Sequence, residues 1–140
     1  IVHSTSSGGT QAGLVAGCRL LGLSTRVIGI SADDSSASLQ STVGAILSGI
    51  ADLLPLDSAD LSKGTAIEVD DGFVGEGYGI PTDASREAIE LAARTEAIFL
   101  DHTYTAKAMA GLIAYIREHK LTEDQMVLFW HTGGQVGLFT

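Results

Sequence analysis

The sequence has little of what secreted, membrane-spanning and nucleic-acid-binding proteins need. Its single cysteine, Cys18, excludes an internal disulfide and lies in an apolar helical stretch where we expect it to be buried. No apolar run approaches the roughly 20 residues that span a bilayer. The 8 basic residues stand against 17 acidic ones, so no basic stripe is present to bind nucleic-acid phosphates. The composition therefore argues against a disulfide scaffold, a membrane protein and a nucleic-acid partner.

The start of the sequence also lacks two features. It has no initiating methionine, and Ile1-Val2-His3 has neither the basic flank nor the cleavage pattern of a secretory signal peptide. The pattern at this point is that of a strand already under way. We therefore expect a cytoplasmic protein, of which these 140 residues are one piece.

The sequence does have enough apolar residues for one packed domain, since 45% of the chain is hydrophobic. Apolar runs predict strands at residues 1–3, 26–30, 66–69, 97–100 and 126–130. Helical periodicity predicts helices at residues 14–21, 37–52, 83–95 and 105–119. This alternation predicts an α/β fold: a doubly wound, mostly parallel sheet with helices on both faces.

Polar or glycine-rich turns follow several of the predicted strands. They occupy residues 4–10, 75–79, 102–105 and 131–134. Because ligands bind at the carboxyl ends of parallel strands, we expect these turns to converge on one edge of the sheet and to form a ligand site there.

The turn Ser4-Thr5-Ser6-Ser7-Gly8-Gly9-Thr10 leads from the first strand into the first helix. Free backbone N–H groups and the helix dipole make such a turn a candidate phosphate site. It has no Lys-Ser or Lys-Thr pair of a Walker loop, no Gly-x-Gly-x-x-Gly and no Gly-x-Ser-x-Gly. From spacing alone, a phosphate-binding loop and a tight packing turn both remain open.

The loop at residues 70–81 has three carboxylates, four glycines and two aromatic residues. Carboxylates can hold a divalent metal ion, but no histidine or cysteine accompanies them here. We therefore interpret the loop as a solvated acidic loop and expect no metal site.

Three segments, in the same order along the chain, resemble one enzyme family. They are residues 6–13 (SSGGTQAG), 101–112 (DHTYTAKAMAGL) and 129–134 (FWHTGG), and residues 76–81 (EGYGIP) fit it too. The family is that of D-cysteine desulfhydrase and 1-aminocyclopropane-1-carboxylate deaminase, within the fold type II, tryptophan synthase β-like enzymes that use pyridoxal 5'-phosphate. The resemblance implies that residues 1–140 are the C-terminal part of the cofactor-binding α/β domain.

The resemblance also implies what is missing from the sequence. The family carries its Schiff-base lysine in an Asn-Lys-x-Arg-Lys segment of the N-terminal half, and Lys63, Lys107 and Lys120 lack that context. We expect the N-terminal half to be absent here, and the 140 residues alone to be inactive. The full-length enzyme is expected to be a homodimer.

Roles for individual residues follow from the same resemblance. Tyr78 and Tyr104 would be catalytic, close to cofactor and substrate. His102 and His131 could each be proposed as general bases, but we interpret both from the sequence as structural or loop-orienting residues. Thr132 would hydrogen-bond the pyridine nitrogen. The residues implied in cofactor binding are Ser7, Gly8, Gly9, Thr10, Thr105 and Thr132.

The activity implied is that of a lyase on a small amino-acid substrate, namely β-elimination of D-cysteine to pyruvate, ammonia and sulfide. The deaminases have Glu after the tyrosine that corresponds to Tyr104, whereas this chain has Thr105, which favours the desulfhydrase. The alternatives are 1-aminocyclopropane-1-carboxylate deaminase, L-cysteate sulfo-lyase and a non-catalytic phosphate-binding half-domain.

Overall fold

The computed structural model describes residues 1–54, 61, 64 and 66–134. Its strands are β1 (Val2–Thr5), β2 (Ile28–Ser31), β3 (Glu68–Asp70) and β4 (Phe129–Trp130). The helices with bounds in these residues are α1 (Gly9–Leu20), α2 (Ser36–Leu53), α3 (Asp83–Glu96) and α4 (Thr105–Arg117). Lys63, one of the three lysines of the chain, and Pro55, which follows the second predicted helix, lie outside the described residues.

The strands form one parallel sheet in the order β3-β2-β1-β4. Val2 lies opposite Ile28 on one side and Phe129 on the other, so β1 is central. The chain runs outward from β1 through β2 to β3 and then returns to β4 on the far side of β1. The carboxyl end of β1 is therefore the topological switch point, where ligands bind in such sheets.

The two faces of the sheet have separate cores. On one face, Ala12 and Val15 of α1 pack with Val43 and Leu47 of α2. On the other face, Ala108 and Leu112 of α4 pack against the sheet residues Val2, Ile28 and Ile30, and α3 packs on α4. Helices cover both faces of a parallel sheet, which confirms the predicted doubly wound α/β fold.

Local signals in the sequence set several helix ends as expected. Gly22 has a φ of 63°, and the N–H of Leu23 donates to the carbonyl of Cys18 at 2.8 Å, as in a Schellman motif that ends α1. The Ser35 hydroxyl caps α2. Thr82 and Ser85 form a reciprocal capping box at the start of α3.

Two predicted strands differ from the structure. Residues 97–100 are not a strand: Ala97 ends α3 in the left-handed region with φ 55°, and the carbonyl of Phe99 accepts a hydrogen bond from the His131 ring instead of from a described backbone amide. The strand predicted at residues 126–130 is limited to Phe129–Trp130, and Met126 is fully exposed. An apolar run alone therefore establishes neither burial nor a strand, because a strand also needs a partner backbone alongside it.

The described helices include none that is both long enough and apolar enough to cross a bilayer.

Candidate functional site

A cavity of about 370 Å³ opens at the carboxyl end of β1. Its wall comes from the turn after β1, the start of α4 and the segment after β4. The lining residues are Ser4, Thr5, Ser6, Ser7, Gly8, Thr10, Tyr104, Thr105, Thr132, Gly133 and Gly134. Three of the four turns expected to converge therefore meet at one cavity, and the fourth, at residues 75–79, contacts the lining residue Tyr104 through Tyr78.

The turn after β1 needs a glycine at position 8. Gly8 precedes α1 with a φ of 78°, in the left-handed region that favours glycine, and a Cβ there would lie 3.1 Å from Cγ2 of Val43. No side chain caps α1 and no acidic residue lies in its first turn. The free N–H groups and the positive end of the helix dipole are therefore available at the cavity wall.

Two hydroxyl groups beside this turn are buried without a hydrogen-bond partner among the described residues. They are Oγ of Ser4 and Oγ1 of Thr5, at the end of β1. Buried polar atoms are normally satisfied, so such atoms at a cavity wall suit a polar ligand. Ser6, by contrast, donates to Asp33 at 2.6 Å and ties the turn to the loop after β2.

Asp101 organises the start of α4. Its two carboxylate oxygens accept hydrogen bonds from the backbone N–H groups of Thr103, Tyr104 and Thr105 at 2.8–2.9 Å and from the Thr105 hydroxyl at 2.6 Å. Burial opposes ionisation of Asp101, but these hydrogen bonds, led by that of Thr105, hold the pKa of its carboxyl below the usual value. An ionised Asp101 therefore fixes the turn that carries Tyr104.

Thr105 lines the cavity, but its hydroxyl already takes part in the hydrogen bonds around Asp101. Its hydroxyl donates to the Asp101 carboxylate and accepts from the Asp101 N–H at 2.8 Å. A contact from Thr105 to a cofactor stays a prediction. In the structure, Thr105 binds Asp101 and so helps to hold the turn that carries Tyr104.

Tyr78 and Tyr104 meet although they belong to different loops. Their hydroxyl groups share a hydrogen bond, and their rings pack edge to face with centroids 5.7 Å apart. The hydrogen bond with Tyr78, with smaller contributions from burial and nearby negative charge, raises the pKa of Tyr104 to about 12. Tyr104 therefore stays protonated at neutral pH and can act there as a proton donor.

The far wall of the cavity follows β4. Gly134 has a φ of 93°, and a Cβ at this position would overlap the Asp101 carboxylate. His131 accepts from the Gly133 N–H at 3.4 Å through Nδ1, and its Nε2 lies 3.0 Å from the carbonyl of Phe99. These contacts support the prediction that His131 orients a loop. They also leave the exposed Thr132 at the cavity mouth.

Neither described lysine lines the cavity. Lys107 is fully buried, and its ammonium group binds the carbonyls of Ala32, Val74 and Gly77 at 3.1, 2.8 and 2.7 Å. Lys120 pairs with Glu118 at the surface. The Lys107 ammonium therefore lies on backbone carbonyls and not in solvent.

The structure thus brings together most of the residues that the sequence singled out. Ser7, Gly8, Thr10, Tyr104, Thr105 and Thr132 line one cavity, Gly9 begins α1 beside it, and Tyr78 joins through Tyr104. Ser4 and Thr5 were predicted only as part of the turn after the first strand, and Asp101 and Gly134 were not predicted as site residues. Asp101 could have been found from its place before a helix.

Comparison with known proteins identifies the family. A sequence profile described as "Pyridoxal-phosphate dependent enzyme" matches residues 1–133. The chain belongs to this family. The resemblance noted from the four motifs is thereby confirmed, and the cofactor of the family is pyridoxal phosphate.

Individual relatives agree with this assignment. The chain is 38% identical over 139 residues to proteins named D-cysteine desulfhydrase from Salmonella typhi and Salmonella newport. A crystal structure of an ACC deaminase homologue matches 97% of the chain with a TM-score of 0.84 and 32% identity. The chain covers 41% of the length of the two curated relatives and 39% of that crystal structure.

The cavity fits the phosphate of such a cofactor. It offers unpartnered Ser4 and Thr5 hydroxyls, free N–H groups of α1 and no acidic side chain in the first turn of that helix. Two carboxylates contact lining residues and are already hydrogen-bonded: Asp101 accepts four hydrogen bonds and Asp33 accepts one from Ser6. In the part of the chain that the structure describes, no group of His, Cys, Asp or Glu side chains is placed to hold a metal ion.

Proposed function

We propose that this chain is the C-terminal part of the cofactor-binding domain of a pyridoxal-phosphate-dependent lyase that acts on D-cysteine. The observation that carries the proposal is the cavity at the switch point, where two unpartnered hydroxyls meet the uncapped start of α1. The identity to D-cysteine desulfhydrases supports the choice of substrate.

The turn after β1 would hold the cofactor phosphate. Gly8 brings the backbone close, the N–H groups at Gly9 and Thr10 point outward from the helix start, and the Ser7 hydroxyl lies exposed beside them. Among the residues that the structure describes, no lysine or arginine lines the cavity, so hydrogen bonds and the helix dipole would carry the binding.

When bound, pyridoxal phosphate would supply an electron-accepting ring and an aldehyde that reacts with the substrate amine. Thr132, at the opposite wall, would donate a hydrogen bond to the ring nitrogen. A hydroxyl partner leaves that nitrogen largely unprotonated, which suits an elimination in which the leaving group takes the electron pair.

Tyr78 and Tyr104 would handle protons at the substrate. Because the pKa of Tyr104 is raised to about 12, its hydroxyl is protonated at neutral pH and can donate to a departing thiolate or to a carboxylate. Tyr78, exposed and hydrogen-bonded to Tyr104, could pass a proton to or from Tyr104. The lysine that removes the α-proton would come from the half that this sequence does not include.

The complete enzyme would act on D-cysteine in the cytoplasm as a homodimer and release pyruvate, ammonia and sulfide. The first test is to incubate the complete polypeptide encoded by the gene with D-cysteine and pyridoxal phosphate. We expect sulfide and pyruvate in equal amounts. Turnover of 1-aminocyclopropane-1-carboxylate without sulfide release from D-cysteine would contradict this proposal and favour the deaminase.

The second test addresses the phosphate site and needs no turnover. Replacing Ser4 by Ala and Thr5 by Val removes the two unpartnered hydroxyls and should weaken pyridoxal phosphate binding about tenfold or more, because each would donate to a charged group. Thr95→Val on α3 is the matched control, since its hydroxyl donates to Leu91 in its own helix. Equal affinity in the double variant and the control would contradict the site.

A non-catalytic binding module is the second candidate. One observation favours it. The Lys107 ammonium binds three carbonyls and Lys120 forms an ion pair, so neither described lysine is free at the cavity. Tight binding of pyridoxal phosphate by the complete polypeptide, with no turnover of any β-substituted amino acid, would support the binding module over the lyase.

A further inference from the structure

Lys107 has an unusual environment for a lysine. Its side chain is completely buried near the start of α4, and lysine is seldom buried without a charged partner. Among the described residues no carboxylate forms an ion pair with it. Burial lowers the pKa of its ammonium group, and the negative charge of Asp33 partly offsets the effect.

Main-chain oxygens take the place of the missing carboxylate. The ammonium group donates to the carbonyls of Ala32, Val74 and Gly77, so each of its three hydrogens has an acceptor. Ala32 follows β2, whereas Val74 and Gly77 belong to the loop between β3 and α3. One side chain therefore joins α4 to two loops at the carboxyl edge of the sheet.

At the start of the loop between β3 and α3, the Asp71 carboxylate accepts from the Ser36 N–H at 2.7 Å and Phe73 packs on the core, but few other contacts hold the rest of the loop. Within residues 71–81 the backbone hydrogen bonds are those from Val74 to Asp71 and from Ile80 to Gly77, both at 3.3 Å. Gly75 and Gly77 adopt positive φ values of 68° and 151°, and such residues lose much conformational freedom when they are fixed. Two charge-assisted bonds to this loop are therefore a large share of its anchoring.

The anchored segment carries Tyr78. Gly77, whose carbonyl lies 2.7 Å from the Lys107 ammonium, directly precedes Tyr78, whose ring is more than half exposed. Tyr104 stands three residues before Lys107 at the start of the same helix. Tyr104, at the start of α4, thus supplies the hydroxyl that Tyr78 contacts. Lys107 of the same helix holds the loop that carries Tyr78.

We propose that Lys107 is a positioning residue that holds Tyr78 against Tyr104 at the edge of the cavity. Its importance for catalysis rests on the proposed function, but the positioning itself does not. The tests below use neither cofactor nor substrate, so their result stands whether or not the protein is a D-cysteine lyase.

The first test uses the unmodified protein. The hydrogens of a buried, fully bonded ammonium group exchange slowly with water, so the Lys107 ammonium should give a protected ¹⁵N signal at neutral pH while that of exposed Lys120 exchanges fast. Equally fast exchange of both ammonium groups would overturn the proposal. This measurement does not depend on the folding of any variant.

The second test uses Lys107→Met, which keeps the length of the side chain but has no donor, with Lys120→Met as the matched control. Amide hydrogen exchange at Val74 and Ile80 should become about tenfold faster or more in Lys107→Met, which loses two charged hydrogen bonds to this loop, and should be unchanged in Lys120→Met. Amides of β1 and β2 should keep their protection. Unchanged exchange at Val74 and Ile80 would contradict the proposal.

The third readout is specific to the tyrosines. With ¹³Cζ-labelled tyrosine at neutral pH, the Tyr104 signal reports its hydrogen bond to Tyr78. Lys107→Met should shift this signal to its position in Tyr78→Phe, because in both variants Tyr104 lacks a fixed partner. A Tyr104 signal that stays at its original position in Lys107→Met would show that Tyr78 does not depend on Lys107 and would overturn the proposal.

Discussion

The hydroxyl of Tyr78 bonds to the hydroxyl of Tyr104 although 26 residues separate them in the chain. Tyr78 comes from a glycine-rich loop and Tyr104 from the first turn of α4. The contact joins the two side chains that the family resemblance assigns to catalysis, and it fixes their orientation at the cavity.

Replacing Tyr78 by Phe should lower the pKa of Tyr104 from about 12 towards its ordinary value of 10.0, because the hydrogen bond to Tyr78 is the main cause of the shift. NMR titration of ¹³Cζ-labelled tyrosine measures this directly. Tyr115→Phe is the control, since the Tyr115 hydroxyl donates to Asp70 and not to Tyr104. An unchanged Tyr104 titration in Tyr78→Phe would show that the hydrogen bond does not form in solution.

Replacing Asp101 by Asn should destabilise the protein by about 2 kcal/mol, the upper end of the effect of losing a helix cap. The loss should depend on pH. Hydrogen bonds hold the pKa of Asp101 below its usual value in the folded state, so its contribution is present above the unfolded pKa of roughly 4 and disappears as the pH falls through the folded pKa. Urea unfolding of both proteins at several pH values measures the difference.

Exposed Asp83, paired with Arg86, provides the control for this prediction. Asp83→Asn should change the free energy of unfolding by less than about 0.5 kcal/mol. A difference between Asp101→Asn and the unmodified protein that stays the same from neutral pH down to the acid transition would be inconsistent with an ionised, hydrogen-bonded Asp101.

Replacing Gly8 by Ala should destabilise the protein by about 1–2 kcal/mol, since a φ of 78° is unfavourable for a residue with a Cβ. The added methyl would also press on Val43. Gly17→Ala, in the middle of α1 with open space around the new Cβ, should instead stabilise by about 0.5–1 kcal/mol. Thermal unfolding measures the stability of both variants. An equal change of the same sign in Gly8→Ala and Gly17→Ala would contradict the positive φ of Gly8.

Replacing Gly111 by Ala should destabilise the protein by about 1–3 kcal/mol through overpacking, because a Cβ there would lie 2.8 Å from Cδ1 of the buried Ile30. Ile30→Val removes that Cδ1 atom. The double variant should therefore be less destabilised than the sum of the single variants, as chemical denaturation can show. Strict additivity would mean that α4 does not pack this closely on β2.

The resemblance identified the protein's family, and local sequence signals predicted much of its fold. Gly22, Ser35 and Thr82 act at helix ends through contacts with residues a few positions away, so their roles are visible in the sequence. Alternating apolar runs and helical stripes predicted the doubly wound sheet, and turns that follow strands predicted the edge where the cavity lies.

Some buried positions were not predictable in this way. Ile116 follows Leu112 at helical spacing, which favours burial, but it is half exposed, because the buried residues of α4 end at Leu112. Residues 97–100 have the composition of a strand, yet no described strand forms a ladder with them, and only Leu100 is fully buried. Burial of a residue at a helix end or a sheet edge depends on which other elements pack against it.

The sequence by itself thus determined the elements, their order and the polar turns, because each depends on side chains close together in the chain. Only the tertiary structure decided which distant groups meet. It placed the Lys107 ammonium on carbonyls 30 to 75 residues away and the Tyr78 hydroxyl on Tyr104. Such contacts follow from how α4 packs on the sheet, and no local pattern encodes that packing.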